Sequence, residues 1–173
     1  MSPNWCTNTL AVHGDKAEVD KFMEDVKYTD LILSFEAHLP TPDQSKFEDM
    51  DYNEQKDNPD YWYNWNIKNW GTKWDAGSTA FIGGYQRNTD GTSTAFYIFD
   101  TAWAPPEAWL VHVAPLYPTL SFKLEYREEG MGFSGILGLH RGNVVENQTW
   151  EGTIGMDIDQ YDEMYGEDVG LTS

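Results

Sequence analysis

Leu120-Ser121-Phe122-Lys123-Leu124-Glu125-Tyr126 alternates apolar and polar residues with a period of two. Successive side chains of a pleated strand point to opposite faces, so the spacing predicts a β-strand with Leu120, Phe122, Leu124 and Tyr126 turned to a core. A strand apolar on one side only belongs to an antiparallel sheet with one covered face. Residues 133–140 and 143–148 can extend that sheet downstream. Upstream, 79–84 and 92–100 are β-rich runs around a polar turn holding Asn88 and Asp90-Gly91, the pattern of a hairpin.

Further toward the N-terminus, residues 7–13 read as a strand ended by Gly14-Asp15, with Asp15 able to cap a following helix. Val19, Phe22, Met23 and Val26 recur at helical spacing over 16–27 and give one apolar stripe. Residues 31–39, rich in Leu, Ile and Phe, read as a second strand that stops at Pro40-Thr41-Pro42. Trp62, Trp65 and residues 67–70 suit a short helix closed by Gly71, and Pro105-Pro106-Glu107 opens another that runs to Leu116. The order predicts an α+β fold, a ferredoxin-like split βαβ antiparallel sheet with helices on one face. A single domain is expected over 1–148. Residues 43–60, with seven acids and two lysines, read as an acidic insertion, and 149–173, with seven acids and no base, as an acidic C-terminal tail.

The 173 residues carry 11 Lys plus Arg against 29 Asp plus Glu, a formal charge of −18, yet are 40% hydrophobic and 15% aromatic. That is too apolar for a disordered acidic segment, and a field so negative repels phosphates and anionic membranes. No direct nucleic-acid or membrane contact is expected. Cys6 is the only cysteine, which excludes an internal disulfide and a CxxC zinc site. The start, Met1-Ser2-Pro3-Asn4-Trp5, has neither a basic n-region nor an apolar h-region, so the cytoplasm is the expected location.

Three stretches carry a resemblance: Pro3-Asn4-Trp5-Cys6, Asn69-Trp70-Gly71-Thr72-Lys73-Trp74-Asp75, and Thr101-Ala102-Trp103-Ala104-Pro105-Pro106. Together they resemble the Api92-like (YubB-like) family of small phage and plasmid proteins with a ferredoxin-like domain. The resemblance covers roughly 1–148. It implies that fold and a setting in a phage-infected or plasmid-bearing bacterium, and it brings no reaction with it.

Catalytic and metal motifs are not found. The histidines at 13, 38, 112 and 140 fall singly, no serine lies in a GxSxG elbow, and Gly83-Gly84 is not followed by GKS/T. Asp49, Asp51, Asn53, Asp57 and Asp60 imitate five calcium-loop positions, but Glu54 stands where the loop needs glycine. No metal, cofactor or catalytic residue is therefore expected.

The chemistry concentrates in 69–75, where indoles alternate with hydrogen-bonding groups. Asn69, Trp70, Thr72, Lys73, Trp74 and Asp75, with Arg87 and Trp103, form a candidate set that could grip a ring and a phosphate or sugar. The same residues could instead fill a core while Asn69 and Asp75 cap backbone. Three functions follow. The preferred one is a non-enzymatic accessory protein of a phage or plasmid, acting in counter-defence, that binds a small nucleotide-like ligand through this motif. The alternatives are an acidic DNA mimic that inhibits a basic, nucleic-acid-binding host protein, and a small hydrolase. The aromatic motif decides the order, because it lies in the family-like part whereas much of the acid does not.

Overall fold

A computed structural model of the chain describes residues 3–151. Six strands, β1 (Trp5–Asp15), β2 (Phe81–Arg87), β3 (Thr92–Ala102), β4 (Ser121–Glu128), β5 (Phe133–His140) and β6 (Asn143–Glu151), form one sheet in the order β2-β3-β1-β4-β5-β6. Every neighbouring pair is antiparallel. The connection from β1 to β2 crosses β3 and opens with the helix α1 (Lys16–Asp25), and a later helix over Glu107–Val113 connects β3 to β4 across β1. Two interleaved split βαβ units define the ferredoxin-like arrangement. β5 and β6 widen it on one side.

Register sets the covered face. Leu10 lies opposite Tyr97 and Leu124, and Val12 opposite Ala95 and Phe122. Phe122 and Leu124 in turn meet Leu139 and Leu137. All eight are buried in one cluster with Val19, Phe22 and Val26 of the first helical stretch. Phe22 stands edge-on to Phe122 with centroids 5.3 Å apart. Asp15 caps α1 by accepting from the Ala17 N–H at 3.2 Å. Lys123 and Glu125 lie on the opposite face, as their alternation requires.

Residues 31–39 are not a strand. The stretch makes one isolated bridge, Tyr28 to Leu31, and then a 3₁₀ turn over Phe35–Ala37. Leu33, Ser34 and Phe35 are all buried in succession. The reason lies elsewhere in the chain. Asp75 accepts the Phe35 N–H at 2.8 Å and also the Ser34 hydroxyl, while Ser34 Oγ caps the turn through the Glu36 N–H at 3.1 Å. The backbone is thus satisfied by a carboxylate and not by a ladder.

The acidic stretch 43–60 holds local structure of its own. Phe47 is buried against Tyr61, with centroids 5.4 Å apart, and Gln55 donates to the Phe47 and Met50 carbonyls. Asp51 and Glu54 form a capping box on α2 (Tyr52–Gln55), which occupies one carboxylate of the calcium-like pattern, Asp51. α3 (Trp62–Trp70) follows and ends at Gly71, whose φ of 89° is left-handed. α4 (Glu107–Val113) then buries Trp109, Leu110 and Val113. β6 runs through Thr149 to Glu151, into the stretch read above as tail, and 152–173 lie outside the described residues. No helix among the described residues is long and apolar enough to cross a membrane.

Candidate functional site

The three stretches 3–6, 69–75 and 101–106 meet at one corner of the sheet. The Trp103 N–H donates to the Asn4 carbonyl at 2.9 Å, and Thr72 Oγ1 donates to the Ala102 carbonyl at 2.8 Å. A Cβ at Gly71 would stand 3.0 Å from the Pro105 carbonyl oxygen, so glycine both ends α3 and lets it press on the start of α4.

Within 69–75 the side chains divide between fold and surface. Trp70 is buried, stacks obliquely on Phe35 with centroids 5.5 Å apart, and donates its indole N–H to the Leu39 carbonyl at 2.9 Å. Thr72 is buried at its bond to Ala102. Asn69 Nδ2 returns to the Trp65 carbonyl one turn earlier, at 2.9 Å, and Asp75 holds residues 34 and 35. Lys73 and Trp74 point outward. Lys73 Nζ lies 4.4 Å from the Trp74 ring centroid and 6.0 Å from that of Trp103. Arg87 stands apart, at the end of β2, over the ring of Tyr85.

Trp5 joins the outward pair, its ring centroid 6.2 Å from that of Trp74. Trp5, Trp74 and Trp103 are 45%, 40% and 46% exposed. Large indoles seldom remain so open unless a partner covers them, and two around one ammonium with a third beside them form a ready cation–π and stacking surface. Sequence reasoning had Trp5 within its first motif but not among the candidate residues. The available signal was its outward place in the strand alternation, next to buried Cys6.

The surface is held rigidly from behind. The Lys73 carbonyl accepts from Asn66 Nδ2 at 2.8 Å, and Asn66 Oδ1 accepts from Thr41 Oγ1 at 2.7 Å. Trp103 has a φ of 69° and sits between Ala102 and Ala104, whose carbonyl and N–H bond at 2.8 Å. That is a γ-turn of the strained sense, rare for a bulky residue. Thr101 Oγ1 secures it by donating to the Ala104 carbonyl at 2.6 Å. Backbone strain kept at an exposed aromatic is a mark of functional sites. Among the described residues no group of three or more His, Cys, Asp and Glu side chains is placed to hold a metal.

Fold and corner together describe an α+β ferredoxin-like domain that carries an aromatic, cationic patch. The family model described as "Ferredoxin-like domain in Api92-like protein" matches residues 69–168, and the chain belongs to that family. The match takes in only Asn69 and Trp70 of α3, then strands β2 to β6 with α4, and most of the stretch read as tail. Among solved structures, the crystal structure of a protein Api92 from Yersinia pseudotuberculosis is similar, with a TM-score of 0.55 and 10% identity, over 87% of this chain and 99% of that one. At that identity the likeness is one of fold. No curated protein matches the chain.

Proposed function

We propose that this is a non-enzymatic binding protein that captures a small, nucleotide-like ligand at the tryptophan corner. Trp74 and Trp103, with Trp5 beside them, offer faces to a planar ring, and Lys73 meets an anionic group. The observation that supports the reading is the Lys73 ammonium set between two half-exposed indoles on a clamped backbone. Stacking of one base on an aromatic side chain contributes about 1–3 kcal/mol. A local cation is needed because the −18 field repels a free phosphate everywhere else. In a phage- or plasmid-bearing cytoplasm, such sequestration would serve counter-defence.

Thermal melting with and without adenosine monophosphate tests this. A ligand that binds only the folded state raises Tm by mass action. The parent should shift upward, while Lys73→Ala, folded and with the parent's own Tm, should not. A parent that ignores nucleotides at millimolar concentration contradicts the proposal. The acidic-mimic reading would replace it if the protein then bound a basic partner with an affinity that collapsed as salt rose.

A further inference from the structure

β2 is an edge strand, and α1 covers its helix-facing side only in part. Along that side Ile82 lies opposite Tyr97, Tyr85 opposite Ala95 and Arg87 opposite Ser93, with a register shift between Ile82 and Gly84. Bulges of this kind re-aim side chains and recur beside binding sites. Between helix and edge opens a cavity of about 430 Å³, walled by Met23, Ile32, Ile82 and Tyr85, with Tyr97 at its floor and Arg87 at its rim.

Two features of this groove are unused by the fold. The Tyr97 ring is fixed edge-on to Phe22, centroids 6.2 Å apart, yet its hydroxyl is buried with no hydrogen-bond partner. Phenylalanine would fill the same space without leaving a buried polar group unmet. Burial, and then the Glu24 carboxylate, push this phenol well above its usual range, so it remains a donor. The second feature is Arg87. Asp20 is taken by Lys16 at 2.6 Å and by the Tyr85 hydroxyl at 2.8 Å, and Glu24 by Lys27 at 2.9 Å. Arg87 lies 5.7 Å over the Tyr85 ring and makes no ion pair among the described residues.

We propose that this groove is a second binding site, separate from the tryptophan corner, for a small organic acid whose apolar body carries an acceptor oxygen. The body lies against Met23, Ile32 and Ile82, the oxygen accepts from Tyr97, and the carboxylate meets Arg87. An acid is favoured over an amine because both carboxylates of the rim already have close cationic partners, whereas Arg87 feels Asp20 only as a more distant charge and makes no ion pair of its own.

Calorimetric titration of the full chain with 4-oxo-4-phenylbutanoate and with 4-phenylbutanoate, which lacks the ketone, tests the assignment. The parent should prefer the keto acid by roughly three- to tenfold, the worth of one hydrogen bond. Tyr97→Phe should bind both acids equally and melt no lower than the parent. Arg87→Gln should weaken both acids alike, and Lys73→Ala should change neither. Failure of the parent to bind either acid at millimolar concentration would overturn the proposal. So would a ketone preference that survives in Tyr97→Phe, or a lower Tm for that variant, which would mean that the hydroxyl serves the fold.

Discussion

The carboxylate of Asp75 accepts the backbone N–H of Phe35 at 2.8 Å across 40 positions of chain. Its other oxygen takes the Ser34 hydroxyl, so one side chain ties the end of the aromatic motif to the loop beneath it. Asp75→Ala leaves a buried N–H and hydroxyl unmet and should cost about 1–3 kcal/mol, read from urea unfolding. Asp75→Asn keeps one acceptor oxygen and should cost less.

Trp70 and Trp74, four residues apart, should respond in opposite ways. Trp70→Ala empties a core position against Phe35 and Trp65 and should cost about 3–5 kcal/mol. Trp74→Ala at the surface should cost about 1 kcal/mol or less and remove the nucleotide response instead. Equal destabilisation by both would mean that Trp74 is a packing residue.

These contrasts mark what the sequence could and could not convey. The alternation of Phe122, Leu124 and Tyr126 and the stripe of Val19, Phe22 and Val26 are local, and both lie in the core as their periods require. Residues 31–39 carry enough Leu, Ile and Phe for a strand, and only a carboxylate at position 75, far along the chain, makes them a loop. The candidate site was legible as a cluster of types and not as a division of labour. Trp70 and Trp74 share a motif, and which of them faces solvent depends on where Gly71 turns the chain. Arg87 and Trp5 depend on pairing: the hairpin takes Arg87 to the α1 groove, and β1 takes Trp5 beside Trp74.

The γ-turn at Trp103 predicts a stability order that contacts alone do not. A φ of 69° suits glycine and strains any residue with a Cβ, by roughly 1–2 kcal/mol. Trp103→Gly should therefore be more stable than Trp103→Ala, against the usual preference for alanine, with both losing nucleotide affinity. Chemical denaturation of the two variants side by side decides it, and an alanine variant that is the more stable would mean that the turn carries no strain.

His38 should make stability depend on pH. Tyr117 donates its hydroxyl proton to Asp25 at 2.7 Å, so His38 Nε2 is the donor in its own 2.7 Å bond to Tyr117. Nδ1 is then bare and buried with no partner, and burial lowers the imidazole's affinity for a proton despite the nearby Asp25 charge. A histidine whose folded pKa is depressed binds protons more readily when unfolded. Stability is full above the unfolded value of 6.5 and falls as pH drops below it toward the folded pKa. Denaturant unfolding of the parent and of His38→Gln across that window should show the extra loss in the parent only.

The most direct test of the binding site is a titration of adenosine monophosphate followed by the indole N–H resonances of the tryptophans, assigned by single substitution. The resonances of Trp5, Trp74 and Trp103 should move together and saturate together, while those of buried Trp70 and Trp109 stay in place. If the three exposed indoles remain still, or if the shifts fall instead on Trp62 and Trp65, the tryptophan corner is not a ligand site.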